Sequence, residues 1–304
     1  MLAPPTPPPA VPPSGHVRLA LEHAGGKPPF ALLGQRIVVE GTVAPYVGGQ
    51  QVSVSFYRDG REQQATSVAV TATGKGTGHF RVGFVSHYGG LVQARAAHAA
   101  TAQQGSFAGV APAVRYVSAS IGPGASGQSA RLLQSELAAL HYAVPRSGVF
   151  EEGTERALVA YRKMTGLERV GLAGRQVFER LARGAGGFRV RYAADGRHVE
   201  ADLTRQVLAE IEAGGRVRAI YTISSGKPST PTVLGRYRVY LKTPGYNSEG
   251  MLDSNYFIRG YAIHGYAEVP TYAASHGCLR VPIPDAASIY EWVRVGTPVD
   301  VYYE

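Results

Sequence analysis

The chain is poor in cysteine, in acidic residues and in long apolar runs. It holds one cysteine, Cys278, in 304 residues. A single thiol excludes an internal disulfide framework, and with no second cysteine to resolve a mixed disulfide it excludes Cys-x-x-Cys redox exchange as well. One cysteine with a histidine two positions before it also lacks the paired ligand spacing of a structural zinc motif. Asp and Glu number 22 against 31 Lys and Arg, a net charge of +9, yet the basic residues, mostly arginine, are scattered along the chain. Affinity for a duplex backbone needs a concentrated basic face, so the sequence argues against a nucleic-acid reader. No stretch approaches the roughly twenty apolar residues of a membrane span, and the amino end has neither the basic region nor the hydrophobic core of a signal peptide.

What is present is concentrated around the lone thiol. The sequence there reads Ser275-His276-Gly277-Cys278-Leu279-Arg280, with His264-Gly265 just upstream. Only the thiolate is a competent nucleophile, and at an ordinary pKa of about 8.5 only a few per cent is ionised at neutral pH. A basic partner is needed. Lowering the pKa by about two units is worth roughly 2.7 kcal/mol, which a neighbouring imidazole and turn amides can supply. His264 and His276 compete for that role. Gly277 suits a close turn in which the backbone amides of Gly277 and Cys278 face a developing oxyanion. An inert, buried cysteine is the alternative, and the flanking histidines and glycine favour catalysis over it.

These segments resemble the signature of the L,D-transpeptidase catalytic domain. The likeness runs from about residue 188 to the carboxyl end, through Ser224-Ser225-Gly226-Lys227 and Pro231-Thr232-Val233-Leu234-Gly235. The resemblance implies a β-rich fold and a cysteine-dependent acyltransferase that needs no cofactor and no metal. It implies that Cys278 attacks the carbonyl of the third residue of a peptidoglycan tetrapeptide stem, expels D-alanine, and passes the acyl group to an amine of a neighbouring stem. His264 matches the histidine that takes the thiol proton, and Gly265 the position whose carbonyl fixes the imidazole tautomer. His276 and Gly277 line the turn, Ser275 pins it, and Arg280 is a candidate for the substrate carboxylate, to which a guanidinium fork is matched. Water in place of the acceptor amine would make the same chemistry an L,D-carboxypeptidase. A wall-binding protein with an inert cysteine is the reading from another class. Peptidoglycan stem peptide and glycan are the expected partners, which places the protein outside the cytoplasm, so an export signal or membrane anchor upstream of residue 1 is expected.

The remainder organises into modules. Residues 1–15 are a proline-rich linker, including Pro4-Pro5-Thr6-Pro7-Pro8-Pro9, which favours extended polyproline geometry. From 16 to 120 apolar residues alternate, as in Val52, Val54 and Phe56, with Asp59-Gly60 marking a hairpin. About seven strands predict an immunoglobulin-like sandwich. Residues 121–127 form a glycine-rich linker. From 128 to 185 the period lengthens to about 3.6, with Leu133, Leu137 and Leu140 on one face, Thr154 as a cap, Leu158 and Tyr161 on a second helix, and Val177 and Leu181 on a third. This three-helix segment resembles a peptidoglycan-binding domain, which implies a role in holding substrate near the enzyme. Residues 186–304 form the catalytic domain, with predicted strands at 188–193, 198–203, 206–212, 216–224, 235–242, 256–264 and 297–303. Asp285 is predicted to cap a helix bearing Ile289, Trp292 and Val293. Residues 243–255 read as a long loop of the length at which functional lids occur, so Tyr246 and Tyr256 are expected to close over substrate.

Overall fold

The structure, a computed structural model, describes residues 12–74 and 76–304. Most of the proline-rich linker, through residue 11, lies outside the described residues. The chain is mainly β and divides into two compact units, Met1–Ala119 and Ser120–Glu304.

The first unit is a two-sheet sandwich. Its strands are β1 (His16–Glu22), β2 (Phe30–Leu32), β3 (Arg36–Ala44), β4 (Gln51–Arg58), β5 (Arg61–Ala69), β6 (Thr71–Ala72), β7 (Gly78–Val85), β8 (Gly90–His98), β9 (Phe107–Val110) and β10 (Val114–Val117). One sheet runs β1-β3-β7-β6; the other runs β2-β10-β8-β4-β5, with β9 paired to β8. Strict alternation puts Ile37, Val39 and Val43 of β3 and Phe80, Val82 and Phe84 of β7 against Val52, Val54 and Phe56 of β4. Phe56 and Phe84 stack at 4.7 Å. Asp59 and Gly60 make the hairpin between β4 and β5. Strands beyond the seven expected include β2 and β6, which are too short to show a period.

The second unit joins three helices to two sheets. The helices are α1 (Gln128–Ala139), α2 (Glu152–Met164) and α3 (Arg175–Ala182). Leu133, Leu137, Leu158, Tyr161, Val177 and Leu181 are buried between them, whereas Leu140 is half-buried at the end of α1. The glycine-rich stretch before α1 is held, because the Ile121 amide donates to Ala173 and the Gly127 amide to Gly148. Thr154 does not cap α2, whose N-cap is Glu151. It lies buried in the first turn, where its hydroxyl accepts from Gln134 Nε2 at 2.8 Å, while Gln134 Oε1 accepts from the Gly148 amide at 2.8 Å. A buried amide claimed the hydroxyl that a cap would have used.

The remaining elements are β11 (His198–Asp202), β12 (Val207–Ile211), β13 (Val217–Thr222), β14 (Gly235–Arg238), β15 (Leu241–Tyr246), β16 (Leu252–Ile258), β17 (Tyr261–Tyr266), β18 (Leu279–Pro282), α4 (Ile283–Trp292) and β19 (Pro298–Tyr302). They form a sheet β13-β12-β11-β19-β14 and a sheet β15-β16-β17-β18. Val199, Leu208, Tyr221, Phe257, Ile263, Leu279, Ile289 and Trp292 fill the core between them. Several sequence expectations give way here. Residues 188–193 form no strand, because the Arg191 and Tyr192 amides donate to the buried Glu200 carboxylate at 2.9 and 2.8 Å instead of to a neighbouring strand. The strand predicted at 256–264 is two strands, split by a turn at Arg259-Gly260 in which Arg259 has φ 51. Residues 243–255 are not an open loop but most of the β15–β16 hairpin, whose tip is tied by Asn247 Oδ1 accepting from the Glu249 and Met251 amides. Asp285 does not cap α4, whose N-cap is Pro282; its carboxylate takes the Arg156 guanidinium of α2 at 3.2 and 3.3 Å.

The sandwich core carries a direct test. Phe56 is fully buried and stacked, so Phe56→Ala is expected to lower the urea unfolding free energy by about 3–5 kcal/mol. A change under about 1 kcal/mol would mean that the two sheets do not pack through this ring.

Candidate active site

Strands β17 and β18 run parallel, with Ile263 opposite Leu279 and His264 opposite Arg280. Ile263 and Leu279 both point into the core, so alternation sends His264 and Arg280 to the other face. Cys278, one residue before β18, falls on that same face, where continuing the register sets it across from Ala262. Its sulfur accordingly receives a backbone hydrogen bond from Ala262, and the thiol donates to the Gly260 carbonyl at 3.8 Å. Cys278 and His264 are therefore two residues apart along one face of adjacent strands, about 6.6 Å of strand rise.

The turn that delivers the thiol is closed by Ser275, which is 1% exposed. Its hydroxyl donates to the Cys278 carbonyl at 2.6 Å and accepts from the Gly277 amide at 3.1 Å. Gly277 has φ 118, and a Cβ there would lie 2.2 Å from the Tyr261 ring. No other residue fits. The far side of the turn rests on the segment after β13. Ser224 and Arg280 exchange two backbone bonds at 3.0 Å, and the Ser225 carbonyl accepts from the Ala274 and Ser275 amides at 2.9 Å.

His264 is buried, and its Nδ1 lies 2.9 Å from the Gly265 carbonyl. A carbonyl only accepts, so Nδ1 carries the proton and Nε2 keeps its lone pair. Gly265 faces the opposite way, and a Cβ there would lie 2.7 Å from Ala286 Cβ of α4, so glycine lets the helix approach. Burial pushes the imidazole below its ordinary pKa, and the Arg280 charge acts in the same direction. Burial pushes the Cys278 thiol up; the Ala262 bond and Arg280 oppose this, and Glu249 at the hairpin tip adds to the rise. Both shifts favour neutral thiol and neutral imidazole. The sequence argument needed an ionised sulfur, and the desolvation of the site opposes that charge.

His276 is exposed and accepts from Lys227 Nζ at 3.2 Å through Nε2, so it is engaged away from the thiol. The Arg280 guanidinium lies 4.0 Å from the Tyr266 ring centroid, and that ring meets His264 edge-on at 5.7 Å. Tyr256 is opposite Ala262 and therefore shares the face of His264, with its ring 6.4 Å from that of Tyr240. Tyr246 is not brought there. It pairs with Leu252, whose other neighbour is Gly265, and so falls on the α4 face, where it is 66% exposed. Sequence reasoning passed over Tyr266, Lys227 and Glu249. Tyr266, two residues past His264, is the one that strand alternation could have found. Among the described residues no group of three or more His, Cys, Asp or Glu is placed to hold a metal ion.

Residues 196–301 match the family described as the L,D-transpeptidase catalytic domain (YkuD). Among solved structures, the L,D-transpeptidase of Xylanimonas cellulosilytica is 31% identical, with a TM-score of 0.55 over 61% of this chain and 98% of that one. An L,D-transpeptidase from Stackebrandtia nassauensis is 23% identical, with a TM-score of 0.39 over 59% of this chain and 93% of that one. One from Enterococcus faecium is 27% identical, with a TM-score of 0.31 over 35% and 50% of the two chains. No curated protein matches the chain. The Xylanimonas match, spanning nearly all of that solved chain, and the matched catalytic domain show that the chain belongs to the L,D-transpeptidase family.

The neutral resting state has a measurable consequence. A raised thiol pKa leaves less thiolate at every pH, so Cys278 alkylation by iodoacetamide should climb through the alkaline range with a midpoint above that of a free thiol. A rate already at its plateau near about pH 6 would indicate a thiolate–imidazolium pair and contradict this.

Proposed function

We propose that this chain is a peptidoglycan L,D-transpeptidase acting outside the cytoplasm, with Cys278 as nucleophile and His264 as its base. The observation that carries this is the buried His264, its Nδ1–H committed to Gly265 and its Nε2 lone pair free, on the strand face that also bears the thiol. Bound substrate displaces water and brings the stem carbonyl to sulfur. The thiol proton passes to His264 Nε2 as the S–C bond forms, so charge appears only with the reacting carbonyl present. The Gly277 amide is engaged with Ser275, which leaves the Cys278 amide as the donor to the oxyanion. Collapse expels D-alanine, which takes the proton from His264 and leaves a thioester. An amine of a second stem then attacks, His264 takes its proton, and sulfur departs with the proton returned. Arg280 beside both groups stabilises the oxyanion or a substrate carboxylate, and it favours thiolate over thiol without adding a proton donor.

Incubation with disaccharide-tetrapeptide fragments, read by mass spectrometry, tests the reading. Wild type should give cross-linked dimers lacking one D-alanine. Cys278→Ala should give none while keeping its circular dichroism, and His264→Gln should lose about 10²–10⁴ in acylation rate. Trimmed monomers alone would assign a carboxypeptidase, and binding with no conversion and no covalent carbapenem adduct would assign a wall-binding protein.

A further inference from the structure

Helix α2 belongs to the segment that resembles a peptidoglycan-binding domain, yet it sends one lysine into the catalytic sheets. Lys163 is 3% exposed. Its Nζ donates to the Gln206 carbonyl at 3.1 Å, to Thr222 Oγ1 at 2.7 Å and to the Ile223 carbonyl at 2.8 Å, which matches the three N–H donors of an ammonium with three acceptors. A substrate-holding module on a flexible tether requires no such buried group.

From Lys163 the hydrogen bonds continue to the catalytic turn without a gap. The Gln206 side chain is held at both ends, Nε2 donating to Ser225 Oγ at 2.7 Å and to the Leu203 carbonyl at 2.8 Å, while Oε1 accepts from the Ser225 amide at 2.8 Å. The Ser225 carbonyl accepts from the Ala274 and Ser275 amides, and the Ser275 hydroxyl ties Gly277 to Cys278. On the other branch Ile223 leads directly into Ser224, which is bonded both ways to Arg280. Lys163, Gln206, Ile223, Ser224, Ser225 and Ser275 are each nine-tenths or more buried, where water cannot replace a missing donor.

We infer that Lys163 is a positioning residue for the cysteine turn: from the helical segment it fixes Gln206 and Ile223, and through them the Ser224 and Ser225 backbone on which residues 274–280 rest. The inference builds on the transpeptidase reading above. Burial pushes the amine down to about 7, and both of its states suit the site, because the Thr222 hydroxyl accepts from an ammonium and donates to a neutral amine. Three further ties join α2 and its following loop to the catalytic part, Arg156 to Asp285, Arg205 to the Met164 carbonyl and Arg169 to the Thr271 carbonyl, but Arg156 leads only to α4 and not to the turn.

The experiment compares Lys163→Met with Arg156→Leu in the full chain, reading carbapenem acylation by intact mass and iodoacetamide alkylation of Cys278 in parallel. Acylation needs turn geometry, whereas alkylation, compared at one pH, needs only a reachable sulfur in its thiolate form. Lys163→Met is expected to lose at least tenfold in acylation rate with alkylation changed less than twofold. Adding Gln206→Leu should cost less than a further twofold, since both act through one chain. Arg156→Leu, at whatever melting temperature it shows, should stay within twofold on both readouts. Should Lys163→Met fail to fold, Ser225→Ala removes the middle of the chain alone and should slow acylation at least threefold. Wild-type acylation in Lys163→Met, or in its absence in Ser225→Ala, or a loss equalled by Arg156→Leu, overturns the assignment of Lys163. A wild-type enzyme that takes no acyl group overturns the transpeptidase reading first, and this inference with it.

Discussion

The site depends on the parallel pairing of β17 with β18. Because the side-chain period of a strand is two, one register puts Ile263 and Leu279 in the core together and His264, Cys278 and Arg280 on the opposite face together. A slip of one residue would bury the imidazole in the core and turn two large aliphatic side chains toward substrate. The hydrophobic core therefore enforces the juxtaposition of His264 and Cys278, and the two histidines that looked equivalent in sequence separate cleanly, one buried on this face and the other exposed beside Lys227.

The same burial sets the electrostatics. Desolvation penalises charge, so it raises an acid and lowers a base, and here it acts on thiol and imidazole alike. Arg280, stacked on Tyr266, supplies a fixed positive charge near both groups.

Much of this was legible in the sequence because its signals are local. The Ser275 to Arg280 motif marked the turn, and alternation in β4 and β7 marked the sandwich. Part of what failed involved partners outside the segment being read. Thr154 and Asp285 look like caps, but Gln134 and Arg156 claim them from other helices. Residues 188–193 alternate like a strand, yet the Glu200 carboxylate takes their amides. The hairpin over 243–255 was hidden by its bulge and its Pro, Gly and Asn content, which read as loop. Lys163 gave no signal at all, since nothing on α2 announces a lysine that ends among carbonyls of another module.

The central claim is that His264 rests as a neutral ring with the proton on Nδ1. Nitrogen NMR of selectively labelled histidine, assigned by His264→Gln, measures this directly. The account requires the neutral Nδ1–H tautomer at neutral pH and a titration midpoint below that of free histidine. An imidazolium at neutral pH, or a proton on Nε2, would contradict it.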